Sequence, residues 1–136
     1  MPETPETTAP AASRPRTLIV AALILLLEGL VCVVLGVLDA FNVRGNRPVV
    51  GVGGAIILIG YGLALGGLLA GGLLRMRTWS RGPVVATQLI NLPIAWSFFG
   101  GATWPIAVAL GAASIVVIGC VLHPASTRVL VRDAAD

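Results

Sequence analysis

The 136-residue sequence predicts an all-α fold, an antiparallel bundle of four transmembrane helices preceded by a disordered N-terminal tail. Three observations carry this. First, 57% of the residues are hydrophobic and 11% charged, against about 25% charged in soluble domains, and the mean hydropathy is +0.96; so few charges cannot cover a water-facing surface. Second, the apolar residues fall in four runs, each near the roughly 20 residues that a bilayer core requires of a helix. Third, the runs are separated by short clusters of Arg, Gly, Pro, Asn and Trp.

Residues 1–16 contain PETPETTAPAASRP, rich in Pro, Thr and Ala and without apolar periodicity. Such a segment buries too little surface to offset the entropy of ordering, and is expected to be a disordered cytoplasmic tail. The first span covers about 17–38. It follows Arg14 and Arg16 as a signal peptide does, but its apolar run is too long for an h-region and lacks an A-x-A site, so it reads as uncleaved. DAFNVRGNRP, Asp39 to Pro48, is the first loop. The second span, about 49–74, is long enough to tilt or to begin at the interface. Arg75, Arg77, Trp79 and Arg81 form the second loop, and Pro83 suits the start of a helix.

The third span, about 83–99, contains Thr87, Gln88, Asn91 and Pro93. Pro93 is expected to kink it and to free the carbonyl of Leu89. The link Gly100 to Thr103 allows a tight return. The fourth span, about 104–122, ends at His123-Pro124, since Pro cannot continue a helix without losing a hydrogen bond. Residues 125–136 form a second cytoplasmic tail; together the spans make one domain, 17–124.

All nine basic residues are Arg. Two precede the first span, three separate the second and third, and two follow the fourth, against two in the first loop and none in the third. Basic residues collect on the cytoplasmic side, so both termini are expected there, in a multi-pass plasma-membrane protein. The pI near 9.7 is thereby explained by orientation, and nucleic acid is excluded as a partner. The expected partners are the lipid bilayer and a second copy or a larger membrane complex.

Glu28, near the centre of the first span, is the first functional candidate. A carboxylate there costs about 2.5 to 3.5 kcal/mol on insertion scales, so it is protonated, paired or facing something polar. Tyr61, Gln88, Asn91 and Ser114 lie at matching depth in the other spans. Gln88, Asn91 and Ala95 share one helical face, as do Ala107, Gly111 and Ser114. Two readings follow: a proton- or cation-accessible site centred on Glu28, or a protonated Glu28 donating to Asn91 or Gln88 in a clasp worth about 0.6 to 2 kcal/mol.

At 100° per residue, Gly53, Gly60, Gly67 and Gly71 form one stripe on the second span, and Gly51, Gly62 and Gly66 form another roughly opposite. Pairs such as Gly62/Gly66 and Gly67/Gly71 let backbones approach. These glycines, with Gly111, are expected to pack helices, more within the chain than between copies. Cys32 and Cys120 read as small core residues at different depths, and His123 as a helix-end residue. The sequence has no CxxC, HExxH, GxSxG or phosphate-binding loop, and GVGG at Gly51 to Gly54 lacks the setting of a dinucleotide site. Neither cofactor, metal nor enzymatic activity is expected.

The Arg-flanked first span with central Glu28, RGPVVATQ at Arg81 to Gln88, PIAW at Pro93 to Trp96, the Gly-Gly loop and HPAST at His123 to Thr127 together resemble a group of small four-span integral membrane proteins of actinobacteria. The use of Arg without Lys fits that resemblance, which implies no activity. Glu28 alone is also similar to the first-span Glu of small multidrug resistance transporters, which implies proton exchange for cations; their third-span signature and aromatic surroundings are not reproduced. The sequence therefore favours a non-enzymatic accessory or structural subunit or homo-oligomer, with a proton-coupled efflux transporter using Glu28 as the alternative.

Overall fold

The structure, a computed structural model, describes residues 15–41, 48–124 and 126–128. The tail at 1–14, the loop residues 42–47 and the end at 129–136, with Arg14, Arg44, Arg47 and Arg132, lie outside the described residues. Among the described residues the chain is helical, without strands. Helix α1 spans Arg16–Phe41; α2, Pro48–Leu63, continues through a π-helical turn, Ala64–Leu69, into α3, Ala70–Leu74. A 3₁₀ turn at Thr78–Ser80 leads to α4, Arg81–Ser97, and α5 is Trp104–Leu122.

Among the described residues three helical stretches are long and apolar enough to cross a membrane: Arg16–Phe41, Gly51–Leu74 and Trp104–Leu122. Their surfaces agree with that environment. Leu27, Ile56, Ile57, Leu68, Trp96 and Ile115 are each more than 60% exposed, far beyond the scattered apolar residues of a water-facing protein. Helix α4, with 17 residues, is shorter and carries the polar residues Thr87, Gln88 and Asn91.

The boundaries depart from the expected ones where caps, rather than hydropathy, end a helix. Helix α1 runs three residues beyond 38, through Asp39 and Ala40 to Phe41, because neither Asp nor Ala breaks a helix. Helix α4 begins two residues before Pro83, whose missing N–H falls in a first turn where it has no intrahelical partner. It ends two residues before 99, with Phe98 N–H on the Ala95 carbonyl. Pro93 lies inside α4 without ending it.

Helix α3 ends in a Schellman turn. Arg77 N–H donates to the Gly72 carbonyl and Met76 N–H to that of Leu73, both at 3.0 Å, while Met76 takes φ 54°. This satisfies two carbonyls otherwise orphaned at a helix end. The loop then folds onto α3: a Cβ on Gly72 would stand 2.7 Å from the Cβ of buried Ser80, so glycine is required for this close approach.

Helix α1 packs along α2 and α3, and α4 packs on α5. In the first pair the backbones nearly touch. A Cβ on Gly29 would stand 2.9 Å from the Gly66 nitrogen, and one on Gly36 would stand 3.0 Å from the Ala55 carbonyl. As numbering rises along α1 it falls along its partner, so the two run in opposite directions. The hydrophobic core gathers at one end, from Leu18, Ala22 and Leu25 of α1, Leu65, Leu69 and Leu73 around α3, Val84 of α4, and Val117 and Val121 of α5.

The π-helical turn serves this core. In a straight α-helix each step of four residues walks about 40° around the axis, and would carry Tyr61, Leu65, Leu69 and Leu73 away from one another. The wider turn, with Ala70 N–H on the Leu65 carbonyl, absorbs one residue and holds Leu65, Leu69 and Leu73 in the interior.

The core end is tied by hydroxyls. Ser126 Oγ donates to the Cys120 carbonyl at 2.7 Å, so its 2.7 Å contact with Thr17 Oγ1 is donated by Thr17. The start of α1 is thereby joined to the segment after α5, where Ser126 and Thr127 N–H groups return to the His123 carbonyl.

Candidate functional site

Beyond the core, the α1–α2 pair and the α4–α5 pair leave a cavity of about 540 Å³ between them, within the 300 to 1,000 Å³ typical of small-molecule pockets. Its walls are aliphatic: Ile24, Leu27 and Leu35 of α1, Ile57 of α2, Ile94 of α4 and Ile106 of α5 are among them. Glu28, Cys32, Tyr61 and Asn91 are the polar-capable residues on that lining.

Four of the five expected polar residues are joined in one chain of hydrogen bonds. Tyr61 O–H donates to Asn91 Oδ1 at 2.9 Å. Asn91 Nδ2 donates to Gln88 Oε1 at a long 3.4 Å, and Gln88 Nε2 donates to Glu28 Oε2 at 2.9 Å. Each donor thus points towards the carboxyl. Gln88 is fully buried and Asn91 nearly so. Their spacing of three puts both amides on one face of α4, one reaching α1 and the other α2. The polar layer therefore bridges the two helix pairs where the core gives way to the cavity.

Glu28 Oε1 is buried and has no hydrogen-bond partner among the described residues. Ser114, the fifth expected residue, is fully buried on α5; it does not join the chain, and its Oγ also lacks a partner among the described residues. Each is an unpartnered polar atom, Glu28 Oε1 an acceptor when ionised and the Ser114 hydroxyl both donor and acceptor, in a setting where an unmade hydrogen bond costs about 1 to 3 kcal/mol.

The expected packing glycines divide. Gly62 fits against the Gly29 carbonyl and Val33, and Gly66 lies against Leu26. Gly111 is in ordinary contact with Ala95, at 3.8 Å. A side chain on Gly53, Gly60, Gly67 or Gly71 would meet nothing within 4 Å, so this stripe faces away from the helices of its own chain. Gly29 and Gly36, which carry the closest approaches on α1, were legible as a pair seven residues apart, hence on one face, although neither stands out in so apolar a run. Cys32 and Cys120 are free thiols, both half-buried. Among the described residues no group of three His, Cys, Asp or Glu is placed to hold a metal.

Comparison with known proteins yields no match: no family model, curated protein or solved structure matches the chain.

Proposed function

We propose that this chain is a plasma-membrane protein of four spans, both termini cytoplasmic, that takes an amphiphilic cation into the cavity between its two helix pairs and exchanges it for a proton at Glu28. The observation that carries the reading is the cavity itself: a half-open aliphatic groove of drug-like size lined in part by Glu28, one of whose carboxyl oxygens is buried without a donor among the described residues. A purely structural clasp needs no chamber beside it. An apolar body is accommodated by the walls, and the carboxylate supplies the single counter-charge that an intramembrane cation requires.

The fourth span of this reading is α4, whose 17 residues meet the lower length limit for crossing a bilayer. An even number of spans leaves both termini on one side, and the Arg residues flanking α1, α3, α4 and α5 favour the cytoplasm for the core end. The cavity then lies towards the outer half. Trp96, Phe99 and Trp104, exposed around the α4–α5 link, suit the opposite interface.

The test is transport in proteoliposomes under an imposed pH gradient, with radiolabelled adamantylamine as the probe cation and protein-free liposomes as the baseline for passive entry. Gradient-driven accumulation with the native chain, abolished in Glu28→Gln while insertion is retained, is the expected result. Equal accumulation with both chains would overturn the reading.

A structural or oligomeric role is the second reading, favoured by the open stripe of Gly53, Gly60, Gly67 and Gly71. A smooth helix face suits close packing against another transmembrane helix. Replacing Gly60 and Gly67 by Leu would abolish cross-linking between copies if those copies meet there.

A further inference from the structure

We infer that the occupant of the cavity is an ammonium ion bearing at least one N–H, with a compact apolar body, and that a quaternary ammonium of the same shape is the poorer ligand. This rests on the proposed function of the Glu28 site and names its ligand class.

Tyr61 O–H is spent on Asn91, Asn91 Nδ2 on Gln88, and Gln88 Nε2 on Glu28. All three donors run inward to the carboxyl. Each amide keeps a second N–H and Cys32 a thiol proton, all of them neutral donors. The charged acceptor is Glu28, whose Oε1 is buried without a partner among the described residues and must rotate towards the cavity to meet a ligand; the lone pairs of the Tyr61 oxygen add a second acceptor. An anion is repelled by the carboxylate. A neutral acceptor such as an ether or ketone finds only the spare amide N–H groups and the thiol, and leaves Oε1 without a hydrogen bond. A quaternary ammonium meets the charge but leaves Oε1 without a hydrogen bond, whereas an N–H ammonium meets both needs.

The polarity of the chain belongs to the ionised carboxyl. With Glu28 protonated and both amides turned over, the chain can be satisfied in reverse: Glu28 donates to Gln88 Oε1, Gln88 Nε2 to Asn91 Oδ1, and Asn91 Nδ2 to the Tyr61 oxygen. Tyr61 O–H is then released towards the cavity as a donor. Protonation therefore removes the counter-charge and turns the remaining polar group on the wall from acceptor to donor, both of which disfavour an ammonium. The two amides of α4 make the chamber complementary to an N–H cation in one protonation state and ill-suited to it in the other.

The body of the ligand is set by the walls. Leu27, Leu35, Ile57, Ile94 and Ile106 are branched aliphatic side chains, which offer dispersion contact without ring-stacking planes. A compact aliphatic cage meets them as well as a flat aromatic system does.

The experiment compares adamantylamine with its N,N,N-trimethyl derivative by titration calorimetry into nanodiscs holding the full chain. Protein-free discs of the same lipid supply the subtraction for partitioning into lipid. The amine is expected to bind about tenfold or more tightly than the quaternary ion, the difference made by one hydrogen bond to a charged acceptor. Binding should be lost in Glu28→Gln. In Tyr61→Phe, which removes the second acceptor and keeps the ring, the preference should narrow while binding persists; this variant tests the inference should Glu28→Gln fail to fold. Equal affinity for the two ions, lost in Glu28→Gln, would overturn the N–H requirement and leave the proposed function standing. Binding of neither ion, or binding indifferent to Glu28→Gln, would overturn both.

Discussion

Gln88 on α4 donates from Nε2 to Oε2 of Glu28 on α1 across 2.9 Å, while its own Oε1 accepts from Asn91. One buried amide thus couples the intramembrane carboxyl to the neighbouring amide and, through it, to Tyr61 on α2. Two helix pairs that otherwise meet through aliphatic core are fastened at mid-depth by groups whose hydrogen bonds depend on one another.

The first prediction concerns that dependence. Replacing Gln88 by Leu removes the donor to Glu28 and the acceptor for Asn91 together, leaving two polar groups to find other partners. The expected loss is about 1 to 3 kcal/mol of folding stability, read from unfolding in mixed micelles. A double-mutant cycle of Tyr61→Phe with Asn91→Ala should give a coupling energy of about 0.6 to 1.7 kcal/mol. Additive single-site effects would show that the bond between them contributes nothing.

The glycines supply a second prediction with its own control. A Cβ on Gly29 would lie 2.9 Å from the Gly66 nitrogen and closer still to the Gly62 carbonyl. Both obstacles are backbone, so one helix must move off the other. Gly29→Ala is expected to cost about 1 to 3 kcal/mol. Gly67→Ala, one stripe away, meets nothing within 4 Å and should stay within about 0.5 kcal/mol. Equal costs at the two positions would mean that the close approach of α1 to α2 and α3 does not determine stability.

Some of this organisation is legible in the sequence. The range of α5 follows from an apolar run bounded by a Gly-rich link and by His123-Pro124, two stops that act through the backbone. The polar layer is foreshadowed because Glu28, Tyr61, Gln88 and Asn91 are conspicuous in apolar surroundings, and depth in a span can be counted. Which atoms bond is not legible, since a shared depth leaves rotation about each helix axis free. The π-helical turn at Ala64–Leu69 is hidden for the same reason: the angular register it corrects is defined by what α2 and α3 pack against. Likewise Gly62 and Gly53 lie in the same Gly-rich run, and only the position of α1 distinguishes the covered face from the open one.

Ser114 gives a third prediction of unusual sign. Its Oγ is fully buried and has no partner among the described residues, so the hydroxyl is desolvated without return. Ser114→Ala removes that cost and little volume, and is expected to hold or raise stability, by up to about 1 kcal/mol. A loss above about 1 kcal/mol would instead show that Ser114 makes a hydrogen bond in the membrane, and the cavity-side carboxyl layer would then extend to α5.

The last prediction tests the turn that leads from α3 to the Arg-rich loop. Met76 takes φ 54°, in the left-handed region that a Cβ disfavours by roughly 1 to 2 kcal/mol. It is held there by two hydrogen bonds, from its own N–H to Leu73 and from Arg77 N–H to Gly72, and by its side chain, which packs on the core beside Leu74. Packing and backbone can be separated by shape. Met76→Leu keeps an apolar side chain unbranched at Cβ and should change stability by less than about 1.5 kcal/mol. Met76→Ile is nearly isosteric with Leu but branched at Cβ, which crowds the left-handed backbone further. It should cost about 1 to 2 kcal/mol more than the Leu variant in the same unfolding assay. If the two variants are equally stable, the turn has relaxed to negative φ, and the two Schellman hydrogen bonds and the seat of Ser80 against Gly72 must have been lost with it.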